Sequence, residues 1–405
     1  MAEVRSAAMA LVEAQPRYRW VMLALVWMLY TCFGLIARAP APLVDDIVAD
    51  LGLSYTQMGT VLGAWQLSYI AFALLAGLAM DRFGLRRTLF FGGLVIALSG
   101  LLRATVTSFE TLFLAVALFG VGGPMISVGA PKIVATWFRG NERGTAAGVY
   151  STGSNFGSIL ALAATTPLVM PVTGHWRPTL AVYGAVALLA AFAWALLARS
   201  PSGAAAGGDK KGGSVRALLH IPTIWAVLIV GLAVFVTSHG LNNWLPKMLA
   251  ERGYTPAEAG LWSALPQAAG MVGALWLGRV APAGRRRRAL IGLLVVSAVS
   301  TLAIGILSGA LFATALLVYG VTRALLTPLL MLIIIETPGV GAGAMGAAGG
   351  LYFTVGEIGG FGGPFLMGYL ADQTGNFLTG IYALAAGNLI MLTPTFFVKE
   401  RQPER

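Results

Sequence analysis

The feature that most constrains this chain is a series of apolar blocks, each roughly 20 residues long. In α-helical form, a block of that length crosses the roughly 30 Å hydrocarbon core of a bilayer. Only 11% of the residues are charged and 57% are hydrophobic, whereas a soluble globular protein carries about 25% charged residues. A water-soluble protein of this composition would expose large apolar patches and aggregate. The sequence therefore predicts an all-α polytopic membrane protein.

About twelve membrane spans are predicted along the 405 residues. Their approximate boundaries are 19–45, 55–80, 87–107, 110–137, 144–170, 177–198, 221–247, 257–279, 288–307, 311–335, 345–371 and 376–398. The segment "SPSGAAAGGDKKGGS" lies between the sixth and seventh spans and has the composition of a flexible linker. The predicted organisation is an N-terminal six-helix bundle (1–198), a cytoplasmic linker (199–220) and a C-terminal six-helix bundle (221–405).

The two halves of the chain repeat each other at an offset of about 200 residues. The segment "GTAAGVYSTGSNFG" at 144–157 aligns with "GAAGGLYFTVGEIGG" at 346–360, and "YTQMG" at 55–59 aligns with "YTPAEAG" at 254–260. Matches in one register indicate two six-helix bundles related by duplication, an arrangement that suits transport by alternating access.

The net charge of +11 is distributed as a topology signal rather than as a nucleic-acid surface. Basic residues occupy the N-terminus and every second loop: Arg17, Arg19, Arg82, Arg86, Arg87, Arg139, Arg143, Arg199, Lys210, Lys211, Arg216, Arg285 to Arg288, Lys399 and Arg401. By the positive-inside rule, both termini are expected to be cytoplasmic in a multi-pass protein of the cytoplasmic (inner) membrane.

The loop after the second span carries a family motif, "GLAMDRFGLRR". Its residues Gly77, Asp81, Arg82, Gly84, Arg86 and Arg87 match the G-x-x-x-D-R-x-G-R-R loop of the major facilitator superfamily, with one residue between Gly84 and Arg86. The chain resembles that superfamily over nearly its whole length, which implies twelve helices in two pseudo-symmetric bundles. Asp81, at a helix end, is expected to pair with an arginine or with the N-terminal dipole of a neighbouring helix, and so to act as a conformational latch.

Shorter stretches resemble two branches of that superfamily. "ARAPAPLVDDIVADLGLS" and "NNWLPKMLAERGYTPAEAG" look like the cyanate/nitroimidazole-transporter branch, and "PKIVATWFRGNERGTAAGVYSTGSNFG" looks like anion:cation symporters for monocarboxylates or oxalate. Both resemblances imply a small anion as the substrate.

Few ionisable residues lie inside the predicted spans, and each is a functional candidate because burying a charge in lipid is costly. Arg38 and Arg323 lie on spans 1 and 10, which line the central cavity in the resembled fold, so we expect them to clamp an anion between the halves. Glu357 is expected to carry proton coupling, with a structural ion pair to Arg323 as the alternative. Lys132 is a further candidate for substrate contact, with a snorkelling side chain as the alternative.

Polar and aromatic side chains on other spans complete the predicted site. The predicted substrate-binding residues are Arg38, Arg323, Asn242, Asn243, Gln267, Tyr150, Asn155, Trp65 and Lys132. Gln66 and His239 belong to the same polar group, and hydrogen bonding between helices is the structural alternative for each. Two charged residues near span ends, Arg103 and Lys247, are expected to contact headgroups or loops, and Pro40 and Pro42 to bend or loosen the first span.

These patterns favour a secondary active transporter that moves a small organic or inorganic anion, driven by a proton gradient or by anion exchange. The alternative is a transporter of the same fold for neutral or cationic molecules, as in sugar transport or drug efflux. No G-x-x-x-x-G-K-[ST] or H-E-x-x-H motif is present and there is one cysteine, so no metal, cofactor or enzymatic activity is expected. The expected partners are the anion, the bilayer, and a proton or counter-anion. Nucleic acid is not expected as a partner, and the protein is expected to be a monomer.

Overall fold

The computed structural model describes residues 18–199, 215–282, 284–340 and 344–398, which are helical almost throughout and contain no strand. Twelve helices in the described residues follow the order of the predicted spans. They are α1 Tyr18–Arg38, α2 Tyr55–Phe83, α3 Leu85–Leu102, α4 Phe109–Trp137, α5 Gly140–Ala164, α6 Trp176–Leu197, α7 Pro222–Glu251, α8 Pro256–Gly273, α9 Arg286–Ile306, α10 Gly309–Glu336, α11 Met345–Thr374 and α12 Leu378–Ile390. The all-α polytopic architecture is confirmed. Most of the predicted linker (200–214) and the predicted topology residues Arg17, Lys210, Lys211, Lys399 and Arg401 lie outside the described residues.

The first span differs from its predicted form. Helix α1 ends at Arg38 rather than continuing to residue 45, and Pro40 begins a 3-10 turn over Ala41–Leu43. A second helix, Val44–Leu51, follows directly. Proline lacks the N–H that an α-helix needs, and its ring clashes with the carbonyl four residues earlier. The two prolines therefore end the helix instead of bending it, and Arg38 becomes its last residue.

Other spans are also interrupted near their ends. Helix α8 is followed by a 3-10 turn, Ala274–Trp276, and a short helix, Leu277–Val280. A π turn over Thr165–Val169 and a short helix, Met170–Thr173, extend α5. Among the described residues, ten helical segments are long and apolar enough to cross a membrane; α8 and the glycine-rich α11 are the two of the twelve that are not among them.

The chain forms two compact units. Within the described residues, the first comprises 18–47 and 67–199, and the second comprises 48–66 together with 215–398. Helix α2 thus contributes Tyr55–Gln66 to the second unit and the rest of its length to the first. The division into bundles at 199–220, inferred from the internal repeat, stays a prediction.

Glycine lets helix backbones approach closely in both units, and one helix pair in each illustrates this. In the first unit α1 packs on α5, and a Cβ on Gly157 would lie 1.9 Å from the carbonyl oxygen of Thr31. In the second unit α7 packs on α11, and a Cβ on Gly363 would lie 2.2 Å from the carbonyl oxygen of Val236. Small residues let two helix backbones approach in this way inside a membrane. In the repeated segment, Gly356 and Gly359, on either side of Glu357, face Phe235 and Leu232 of α7 and so serve helix packing.

Candidate functional site

The second unit holds Arg323 in a network of neutral side chains. Its Nη2 donates to Oε1 of Gln267 on α8 at 2.7 Å, and its Nη1 donates to Oγ of Ser238 on α7 at 3.4 Å. Its Nε is buried and has no hydrogen-bond partner in the protein. Among the described residues no carboxylate lies within salt-bridge distance of Arg323, so the alternative of a direct ion pair with Glu357 is not observed. Arg323 thus presents a positive charge that no acidic side chain pairs with directly.

The two ends of the Gln267 side-chain amide differ: Oε1 accepts a hydrogen bond from Arg323, and Nε2 makes no hydrogen bond to the protein. Because a guanidinium only donates hydrogen bonds, the contact at 2.7 Å fixes Oε1 of Gln267 as the acceptor and turns its NH2 group away. That Nε2 atom is buried and makes no hydrogen bond to the protein, although only 3% of the residue is exposed. A buried donor without an acceptor is unfavourable by about 1–3 kcal/mol. We call Arg323, Gln267, Ser238 and Asn242 the Arg323 network; its unused donors match the acceptor oxygens of an anion.

Helix α7 supplies several polar side chains, which make hydrogen bonds to different partners. Asn242, one turn after Ser238, donates from Nδ2 to Oγ of Ser238 at 3.4 Å and so joins the Arg323 network. Asn243 donates to the carbonyl oxygen of His239 in its own helix at 2.8 Å. Trp244 is fully buried, and its Nε1 donates to the carbonyl oxygen of Pro364 on α11 at 2.9 Å. Trp244 therefore joins α7 to α11.

A second polar group lies beside this network in the same unit. We call His239, Gln66, Trp65 and Glu357 the His239 cluster. Nε2 of Gln66 is 3.1 Å from Nδ1 of His239 and 3.3 Å from the carbonyl oxygen of Gly360. The Trp65 ring meets the imidazole edge-on, with 5.9 Å between centroids. Oε2 of Glu357 and Cγ of Gln66 both lie against Gly360, at 2.8 and 3.0 Å from the position that a Cβ there would occupy. Gln66 and His239, which the sequence assigns to the same polar group, thus lie between the predicted residues Trp65 and Glu357.

The first unit holds the other predicted substrate residues. Arg38 is half-buried at the end of α1, and Tyr150 and Asn155 are half-buried on α5. The Tyr150 ring contacts Tyr30 edge-on at 5.8 Å, and Tyr30 stacks on Phe33 at 5.6 Å. An aromatic surface of this kind excludes water and can support a ligand. The substrate roles of these residues stay predictions.

Lys132 contacts the loop motif of the first unit. Its Nζ is 3.6 Å from Oδ1 of Asp81, and the two side chains are 42% and 68% exposed. The charged partner seen for Asp81 is therefore a lysine of α4, whereas the sequence predicts an arginine or the N-terminal dipole of a neighbouring helix. Gly84, the residue before α3, has φ +81°, a conformation that a side chain would strain. Arg86 donates to the carbonyl oxygen of Ala195 at 2.6 Å. The motif thus shapes this loop, and its role as a latch stays a prediction.

Two charged residues have structural positions that the sequence did not indicate. Arg103 is only 1% exposed and donates to the carbonyl oxygen of Ile36 at 2.7 Å and to Ser99 at 3.1 Å. The expectation of a headgroup or loop contact for Arg103 is wrong, because the side chain turns inward to the open end of α1.

Asp372 accepts hydrogen bonds from the backbone N–H groups of Tyr55 at 3.0 Å and Thr56 at 2.7 Å, and so caps α2. No local sequence signal marks either contact.

Among the described residues there is no group of three or more His, Cys, Asp or Glu side chains that could hold a metal ion. In the part of the chain that the structure describes, a helical fold with ten candidate membrane spans and a half-buried arginine that no carboxylate neutralises directly is typical of a polytopic membrane transport protein. The model of the Major Facilitator Superfamily matches residues 26–364, and the chain belongs to this family. The resemblance inferred from the loop motif and the repeat is confirmed. Members of this family are transporters rather than enzymes.

The chain is similar in sequence to two transporters and in structure to a third. It is 27% identical over 370 residues to a hexuronate transporter of Bacillus subtilis, with 86% of each chain covered. It is 30% identical over 384 residues to the 3-(3-hydroxy-phenyl)propionate transporter of Escherichia coli, with 90% of each covered. A bacterial homologue of the human lysosomal transporter Spinster has the same fold, with a TM-score of 0.78 at 15% identity, covering 96% of this chain and 99% of that one.

Proposed function

We propose that this protein is a secondary active transporter of a small organic anion, and that the Arg323 network binds the anionic group. The observation that carries the proposal is the unneutralised Arg323 guanidinium, held by Gln267 and Ser238 with the donors Arg323 Nε and Gln267 Nε2 unused. An arginine guanidinium stays protonated, and its planar fork matches the geometry of a carboxylate. A cationic substrate would be repelled by the same charge.

The relatives support a carboxylate as the anionic group. The proteins named as transporters of hexuronate and of 3-(3-hydroxy-phenyl)propionate both have substrates that combine a carboxylate with hydroxyl groups. In the Arg323 network, Oδ1 of Asn242 is a buried acceptor without a protein partner, since Nδ2 is the end directed at Ser238. A substrate hydroxyl can donate to such an acceptor while the carboxylate binds the donors. We therefore favour hydroxylated carboxylates over nitrate-like anions, which carry no donor.

The first unit contributes the remaining proposed contacts. Arg38 is the second proposed anion-binding cation, and Tyr150 and Asn155 are proposed to contact the body of the substrate. We propose that both termini lie in the cytoplasm, because the basic residues are concentrated in every second loop. Glu357 is proposed to couple transport to protons, because it is a nearly buried acid beside the polar side chains of the second unit.

The test is uptake of labelled anions by purified protein in proteoliposomes. Arg323→Ala and Arg38→Ala are expected to abolish uptake of glucuronate at normal levels of inserted protein. Arg279→Ala is the matched control, because Arg279 is exposed and lies over the ring of Trp276. Retained uptake in both test variants would show that these arginines do not bind the substrate.

Coupling is tested separately with Glu357→Gln. This variant keeps the shape of the side chain and cannot release a proton, so net uptake driven by a pH gradient is expected to stop while counterflow exchange continues. An unchanged response to the pH gradient would remove Glu357 from the coupling mechanism.

A further inference from the structure

The two hydrogen bonds of Gln66 fix the protonation state of His239 in this structure. The carbonyl oxygen of Gly360 can only accept, so the contact at 3.3 Å requires the NH2 group of Gln66 on that side. The same Nε2 atom is 3.1 Å from Nδ1 of His239, so Nδ1 must be the acceptor of the second N–H. An imidazole that accepts at Nδ1 carries no proton there. The packing seen here is therefore compatible with neutral His239 only.

Protonation of His239 would break this arrangement. An imidazolium has N–H groups on both ring nitrogens, so Nδ1–H would point at the NH2 group of Gln66. Turning the Gln66 amide over would satisfy the imidazolium but would set Oε1 against the carbonyl oxygen of Gly360. Neither orientation satisfies all three groups, so a proton at Nδ1 requires Gln66 to move away from His239.

The charge of Arg323, beside α7, connects protonation of His239 with anion binding at Arg323. Helices α8 and α12 contribute the amides of Gln267 and Asn388, which do not titrate, and residues 56–66 of α2 contain no titratable side chain. Titratable side chains that contact this part of α7 among the described residues include Tyr352 on α11, and Arg323 and Tyr319 on α10. Glu357 on α11 is buried and lies against Gly360, beside Gln66. Arg323 is bound to Ser238, the residue before His239, and its positive charge opposes a second positive charge on the imidazole. An anion bound to Arg323 would remove that opposition.

We propose that His239 is a proton-binding residue of the transport cycle, whose protonation is coupled to anion binding at Arg323 and to release of Gln66 from α7 and α11. The proposal rests on the proposed function for its link to the anion. Proton and anion then favour each other's binding by the same factor, as linkage requires, which is the condition for symport.

The first experiment needs no substrate. Protonated imidazole quenches a neighbouring indole, and the Trp65 ring lies 5.9 Å from the His239 ring. The Trp65 contribution is the emission difference between the wild type and Trp65→Phe. It is expected to fall as the pH is lowered from about 8 to 5, the range in which histidine changes charge. His239→Asn places an amide oxygen where Nδ1 lies and cannot be protonated, so the pH response should be lost.

The matched control is His220→Asn, the same change at an exposed histidine whose Nδ1 is 2.7 Å from the carbonyl oxygen of Arg216. It should leave the Trp65 response unchanged. A pH response that persists in His239→Asn, or a wild type without one, would overturn the proposal.

The second experiment separates coupling from binding. In proteoliposomes, His239→Asn is expected to retain counterflow exchange of glucuronate and to lose accumulation driven by an inward proton gradient. Accumulation at the wild-type level in His239→Asn would overturn the proposal. A wild type that exchanges no anion would instead contradict the proposed function, while the fluorescence experiment would still decide whether His239 takes up the proton.

Discussion

Replacing Arg323 by lysine keeps the positive charge of the anion site but removes the planar guanidinium, so the variant tests the geometry of the site separately from its charge. In the structure, Arg323 uses Nη2 on Gln267 and Nη1 on Ser238, which leaves Nε and the remaining N–H groups for a ligand. A lysine has one ammonium group on a flexible chain. It can contact Gln267 or the anion, but it cannot reproduce the planar fork that serves both.

The expected loss follows from the number of contacts removed. A hydrogen bond to a charged group contributes about 1.5–3 kcal/mol, and each 1.4 kcal/mol is about tenfold in affinity. Losing one such contact should raise the Kd for glucuronate roughly ten- to hundredfold. Isothermal titration of purified protein in detergent would measure this directly.

The matched control is Arg103→Lys in the first unit. Arg103 is buried, whereas Arg323 is half-buried, and the Arg103 guanidinium donates to the carbonyl oxygen of Ile36 and to Ser99. The control should lower thermal stability and leave the Kd unchanged. An unchanged Kd in Arg323→Lys, or an equal rise in Arg103→Lys, would refute a specific role of Arg323 in anion binding.

Two further predictions concern the packing of the second unit. A methyl group at Gly363 would lie 2.2 Å from the carbonyl oxygen of Val236, so Gly363→Ala should destabilise the protein by about 1–3 kcal/mol. Gly362→Ala, which meets nothing within 4 Å, should be neutral, and equal melting temperatures for the two variants would contradict the close contact between α7 and α11. Asp372→Asn should weaken the cap on α2 by about 1 kcal/mol and increase hydrogen exchange at Thr56; unchanged exchange would argue against the cap.

Periodicity and composition were sufficient to predict the architecture from the sequence. Apolar blocks, basic loops and the internal repeat are properties of the chain itself, and the order of the helices follows from them. The positions at which helices end were harder to predict from the sequence. Arg38 was expected inside a span that continued to residue 45, but Pro40 and Pro42 end the helix, so the arginine occupies its terminus.

The candidate site was predictable only in part. Arg323, Gln267 and Glu357 stood out because ionisable and amide groups are rare in such spans. Their partners did not: Ser238 is one of several small hydroxyl residues, and only the crossing of α7 with α10 brings it to Arg323. The contact between Gln66 and His239 joins residues 173 positions apart, and no spacing rule reports a pair that depends on tertiary packing.

The central claim is that the protein selects its substrate by negative charge. The most direct measurement compares counterflow of glucuronate with that of glucose, which has the same ring and no carboxylate, in proteoliposomes of the wild-type protein. The proposed function predicts exchange of glucuronate and no exchange of glucose. Exchange of glucose at an equal rate, or exchange of a cation in place of glucuronate, would contradict it.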